Sequence, residues 1–192
     1  MSHTESTTKN FFYPPGGILL WIIVFLELIT FGAALVSATV YASREPELFH
    51  FSRMQLSTFS GTLNTVLLLC SGFFMASAVH KLKEAERKKT TFFLQLTILF
   101  GLFFVLSKSV EYYIKIEAGI SFSSNLFFSF YWSLTIFHLA HVIAGLVILL
   151  FFLIKLKENK MPAVDDFEAG ATFWHLCDLI WLLIFPTLYL LF

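Results

Sequence analysis

The chain has 192 residues, of which 57% are hydrophobic and 14% charged, and phenylalanine alone occurs 25 times. An average soluble domain carries about 25% charged residues, so this chain cannot coat a water-facing globule; disorder, a soluble enzyme domain and a disulfide-rich secreted module are excluded. Its 13 basic and 13 acidic residues cancel, which leaves no bulk charge to attract nucleic acid.

The first ten residues are polar and include Lys9; residues 11–17 (Phe-Phe-Tyr-Pro-Pro-Gly-Gly) form an aromatic and helix-breaking cluster suited to a membrane interface. The apolar run that follows is longer than a signal-peptide core of about 7–15 residues and carries Glu27, so it reads as a retained first span. A helical span needs about 20 mostly apolar residues. Five stretches qualify, at 18–42, 57–80, 92–113, 126–154 and 170–192. They are separated by short polar interruptions at 43–56, 81–91, 114–125 and 155–169. Alternating barrel strands are absent, so the fold class is all-α: one membrane domain, 1–192, of five transmembrane helices. Lys9, Lys81, Lys83, Arg87, Lys88, Lys89, Lys155, Lys157 and Lys160 gather on one side, against Arg44, Arg53 and Lys115 on the other. The more basic side faces the cytoplasm, which predicts a cytoplasmic N-terminus and an outside C-terminus.

An ionisable side chain inside hydrocarbon costs at least about 2.5–3.5 kcal/mol and needs a partner or a purpose. At a rise of about 1.5 Å per residue, Glu27 lies roughly 14 Å and Asp178 roughly 12 Å from the cytoplasmic side, with His141 at roughly 20 Å. The depths predict that Glu27, His175, Asp178 and His141 face one another inside the bundle. His175 and Asp178 are three apart, on one helical face, so the carboxylate can accept from the imidazole N–H. His138 and His141 share that spacing, and Gly145 continues their stripe with a surface that admits close helix approach. Span 2 carries Ser57, Ser60, Asn64 and Ser71 on one stripe, a pattern for interhelical hydrogen bonds. Lys108 and Glu111 read as a charge-neutralising pair near the outer end of span 3, with a snorkelling lysine. Cys70 and Cys177 have no second cysteine at metal spacing and read as packing residues. His138 or His141 against His175 would also suit bis-histidine haem, which keeps a small haem b oxidoreductase open; a transporter using Glu27 and Asp178 is a third reading, disfavoured by the lack of broken helix pairs.

Taken in order, several segments resemble one family. They are Trp21…Phe25-Leu26-Glu27-Leu28…Phe31 in span 1 and Leu63-Asn64-Thr65…Leu68-Leu69-Cys70-Ser71-Gly72 in span 2, with Glu111-Tyr112 closing span 3. Span 4 reads Phe137-His138-Leu139-Ala140-His141-Val142…Gly145, and span 5 reads Phe173-Trp174-His175-Leu176-Cys177-Asp178-Leu179-Ile180-Trp181. The chain resembles subunit III of the haem–copper, cytochrome c type oxidases in its short, five-span form, over essentially its whole length. The resemblance implies a non-catalytic subunit without metal or cofactor of its own. Haem and copper are then expected in the partner subunits I and II, and phospholipid is expected as a bound molecule. It implies support of assembly, proton uptake and stability of subunit I in the bacterial cytoplasmic membrane, with Glu27 as a buried proton-exchangeable carboxylate. His138, His141, His175 and Asp178 would form an intramembrane polar network, and Asn64, Ser71, Gly145, Trp174 and Trp181 would serve interhelical packing and hydrogen bonding.

Two departures from the family pattern qualify this. The two further N-terminal spans that build a V-shaped lipid cleft in longer members are not seen, so a lipid site that needs the cleft does not carry over. Leu139-Ala140 also stands where the family often has a glycine-containing pair. The short form also accompanies nitric oxide reductases, the alternative assignment.

Overall fold

A computed structural model describes residues 17–192; Lys9 and the cluster at 11–16 lie outside the described residues. Five long apolar helices are joined by short turns: α1 (Gly17–Arg44), α3 (Thr58–Lys83), α4 (Arg87–Glu117), α5 (Leu126–Lys157) and α6 (Val164–Pro186), with a short helix α2 (Pro46–Met54) after α1. Among the described residues no strand occurs. Each long helix, α6 together with the π-helical turn Thr187–Leu191, has the length and composition to cross a membrane. The chain is an integral membrane protein.

The helices run past the sequence-predicted limits because polar residues at both rims continue the intrahelical ladder. Span 3 continues to Glu117 and span 5 begins at Val164. The interruption 43–56 is itself mostly helical. Pro46 opens α2 with its φ already suited to a first turn, and Glu47 and Arg53 complement the helix dipole. Phe49 then packs edge-on against Phe127 and Phe192, at 5.6 and 5.2 Å between ring centres, so α2 closes that rim. Ser57 caps α3 by accepting from the Ser60 amide, and Asn125 caps α5 by accepting from Phe128. α3, α4 and α5 end alike, on a left-handed residue (Ala85, Gly119 and Asn159) whose following amide returns to a carbonyl five residues back. Pro186 has no N–H to give, and beyond it the chain rewinds into the π turn.

α6 is the most buried span and α1 the least. α6 packs along α1, α3 and α5; α5 packs on α4 and α1, and α4 packs most extensively on α3. The neighbours thus run α1–α5–α4–α3 around α6, without an extended seam between α1 and α3. The side chains that α6 sends inward, Trp174, Ile180, Trp181 and Ile184, form the middle of the core.

Candidate functional site

Trp174 is where four helices meet. Its indole fits between Gly101 of α4 and Gly145 of α5; a Cβ at either position would stand 2.8 Å from the ring. The indole N–H donates to Ser71 Oγ at 3.1 Å, and that hydroxyl donates to the Thr97 carbonyl at 2.8 Å. Glycine here is the room that tryptophan needs. Two turns further on, Trp181 donates to Thr65 Oγ1 at 3.0 Å. Gly145 was legible from the sequence; Gly101 and Thr65 were not, because neither sits in a polar stripe.

The polar side chains do not assemble into one seam. Glu27 of α1 pairs across to α5, its Oε1 lying 3.2 Å from His141 Nε2. His141 Nδ1 lies 2.8 Å from the Phe137 carbonyl, which only a protonated nitrogen can satisfy. Nδ1–H therefore donates there, which leaves Nε2 facing the Glu27 carboxyl. Phe31, Phe137 and Phe173 pack round the imidazole at 4.6 to 6.4 Å. Glu27 Oε2 is buried without a hydrogen bond.

His175 and Asp178 form a second, separate pair on the α3 side of α6, Nδ1 to Oδ2 at 3.3 Å. The carboxylate lies directly over the Cα of Gly72, where no side chain would fit. The expectation that Glu27, His175 and Asp178 face one another is corrected: equal depth does not fix the face, and Glu27 and Asp178 look toward different neighbours of α6.

His138 stands apart from both pairs. It is completely buried, with Trp181 stacked at 5.3 Å and Phe104 edge-on at 5.7 Å, and neither ring nitrogen has a hydrogen bond. The four-residue network of His138, His141, His175 and Asp178 is thus two pairs and a lone ring. Both His138 nitrogens are enclosed, whereas axial ligation of a haem needs open space at one of them. Asn64 is equally buried, and both of its amide atoms lack partners. The interhelical bonds expected of its stripe come from Ser60, Thr65 and Ser71 instead. Among the described residues no group of three or more His, Cys, Asp or Glu side chains is arranged for a metal ion.

Lys108 does not snorkel. It is 1% exposed, because α4 runs nine residues beyond it and places the ammonium roughly 14 Å inside the helix end. Nζ lies 3.2 Å from Glu111 Oε1 and donates to Tyr189 Oη at 3.0 Å. Four rings, Tyr112, Tyr131, Trp181 and Tyr189, surround it at 4.9 to 5.6 Å. Glu111 accepts from Tyr131 at 2.7 Å, Tyr189 at 2.5 Å and Ser60 at 3.0 Å. Lys115, counted from the sequence with a polar loop, is buried and donates to the Gln55 carbonyl, while Arg53 donates to the Tyr189 carbonyl at 3.0 Å. Sequence reading missed Tyr131 and Tyr189 here, since they lie 20 and 78 residues from Glu111 along the chain, while Ser60 makes the interhelical bond expected of its stripe.

Comparison with known proteins supplies the family. The sequence profile described as "Cytochrome c oxidase subunit III" matches residues 17–191. Among curated relatives, "Cytochrome c oxidase subunit 3" of Oncorhynchus clarkii is 36% identical over 129 residues, 66% of this chain and 48% of that protein. The proteins of the same name from Drosophila yakuba and Coturnix japonica are 35% and 36% identical over stretches of the same coverage. The chain spans about half the length of these curated relatives.

Proposed function

The chain belongs to the cytochrome c oxidase subunit III family, and from that premise we propose that it serves as the non-catalytic subunit III of a haem–copper terminal oxidase, which reduces O2 to water in aerobic respiration. In this reading haem and copper reside in subunits I and II. This chain binds against them, holds phospholipid and supports proton uptake and the durability of subunit I. The observation that carries it is the family match over all five spans. The enclosure of His138 by Phe104 and Trp181 favours it over a haem protein in its own right.

Glu27 is the proposed proton-exchangeable carboxylate. The support is geometric: its Oε1 faces His141 Nε2 at 3.2 Å, and the pair is partly exposed at the edge of the bundle, with the side chains 19% and 15% accessible. Moving a proton from the carboxyl to Nε2 turns a neutral pair into an ion pair without breaking the contact. Glu27→Gln keeps the volume and removes the exchangeable proton. The expected outcome is an oxidase that assembles normally but shows altered proton uptake and a changed rate of inactivation during turnover. Wild-type pH dependence and lifetime would reduce Glu27 to packing.

We place the protein in the cytoplasmic membrane of a bacterium with its basic rim inward. The support is the asymmetry among described residues, with Lys81, Lys83, Arg87, Lys88, Lys89, Lys155, Lys157 and Lys160 at one rim and Arg44, Arg53 and Lys115 toward the other. Purification of the complex tests the whole assignment. The chain is expected in constant ratio to haem, in a preparation that consumes O2; consumption of nitric oxide in its place would transfer the same role to a nitric oxide reductase.

A further inference from the structure

The cations of the basic rim fall into two groups. Lys81 and Lys89 pair with Glu86, Lys83 pairs with Glu168 and Lys160 with Glu158, and Lys155 lies over the Phe151 ring at 4.5 Å. Arg87, Lys88 and Lys157 have no ion pair among the described residues. These three line one cavity of about 240 Å³ between the start of α4 and the end of α5, together with Thr91, Leu156 and Asn159.

Arg87 gives the cavity a fixed wall. Its Nη1 donates to the Leu156 carbonyl at 3.1 Å and to Asn159 Oδ1, which braces α4 against α5. With Oδ1 taken, the Asn159 side chain has only amide N–H groups left to offer. The Leu156 carbonyl is also used, by Arg87 and by the Asn159 backbone amide at 3.3 Å. The lining therefore presents three positive charges and N–H donors, and it contains no carboxylate. α4 begins at Arg87, so the positive end of its dipole adds to them. The neighbouring carboxylates in the chain, Glu86 and Glu158, are held by lysines outside the cavity.

The cavity is smaller than the roughly 300–1,000 Å³ that enclose a drug-sized molecule, so it suits a compact anion rather than a nucleotide. Its surroundings point to the supply. Lys88 ends an exposed apolar stripe of α4 that runs through Phe92 and Leu99, and Lys157 ends one of α5 that runs through Ile154 and Leu150. An anion seated between the two lysines thus has a path for an acyl chain down either helix. We propose that this cavity binds a phosphate group, supplied by the headgroup of an anionic phospholipid in the adjoining leaflet. Basic pockets between membrane helices hold such headgroups, and lysine serves phosphate as a point charge. The site gives the phospholipid of the function proposed above a defined place, and rests on that reading.

The full chain in nanodiscs of phosphatidylcholine, with a trace of spin-labelled phosphatidylglycerol or of spin-labelled phosphatidylcholine, tests it. The chain should immobilise the anionic label in preference to the zwitterionic one. Lys88→Gln with Lys157→Gln changes two exposed side chains that bond to nothing described, and should lower that preference on the order of tenfold. Lys155→Gln with Lys160→Gln removes the same charge from the rim but none from the cavity, and should stay near wild type. Inorganic phosphate added to the detergent-solubilised chain at constant ionic strength is the second arm. Thermal stabilisation of wild type and not of the Lys88/Lys157 variant keeps the phosphate site and makes its source a free anion; lipid preference without that stabilisation makes the source lipid. Absence of both effects overturns the proposal, as does an equal loss in the two double variants, which would reduce the effect to the diffuse charge of the rim. The oxidase assignment is judged by the haem ratio of the wild-type complex, so its failure shows separately.

Discussion

Lys108 and Glu111 illustrate what burial does to an ion pair. Each remaining valence is met: the ammonium by Tyr189 and four ring faces, the carboxylate by three hydroxyls. Removing one partner leaves the other buried and unpaired, which costs about 3–5 kcal/mol, whereas replacing both by apolar groups of similar volume is close to neutral. Lys108→Met should therefore sharply lower the thermal stability of the solubilised subunit, and Lys108→Met with Glu111→Gln should recover much of it. The pair itself was legible in the sequence from its three-residue spacing. Its enclosure was not, because the aromatic residues come from α4, α5, α6 and the final turn, and spacing reports only one helix at a time. His138 and His141 show the same restriction: three apart, they share a stripe, yet one turns to Glu27 and the other into a closed aromatic gap.

At the scale of an element, the five spans could be read from length and hydropathy, while their faces could not. Every wall of a lipid-immersed helix is apolar, so amphipathic periodicity loses its meaning and contact is decided by small residues. Gly145→Leu should therefore do more damage than any exposed leucine exchange. The clash with Trp174 separates α5 from α6, and the expected result is subunit lost from the membrane fraction on mild heating. The α3–α4 turn has a different chemistry. Lys89 and Lys81 hold the Glu86 carboxyl below its ordinary value of 4.5; at the end of α5, Lys160 lowers Glu158 in the same way and is itself raised. A lowered carboxyl pKa contributes stability above the unfolded value that is lost as pH falls through the folded one. Lys160 contributes below 10.5 and stops doing so as pH rises through its raised value. Both ends are exposed, so the effect is small and screened by salt. Amide exchange over residues 84–87, corrected for intrinsic rates, should quicken below about pH 4.5 and respond little at high ionic strength.

For the whole molecule, the two rims differ in kind. One is basic and tied by exposed ion pairs such as Lys83 with Glu168; the other is closed by α2, whose Phe49, Ser52 and Arg53 reach α5 and the final turn. If the basic rim faces the cytoplasm, a thiol placed at position 88 is labelled by an impermeant reagent only in inverted vesicles, and one at position 123 only in intact cells; the reverse pattern would turn the protein over. The sequence carried the charge count behind this forecast but not α2, which is too short and too mixed to register as a span. The aromatic box around Lys108 also has a consequence in time. Tyr189 follows Pro186, so the ribosome makes it after Tyr112, Tyr131 and Trp181, the other walls of the box. Until then a half-finished chain holds an ammonium short of one ring and one hydroxyl. Passage of nascent protein to its folded form should therefore wait on the last turn, and a chain stopped before it should be met by membrane proteases.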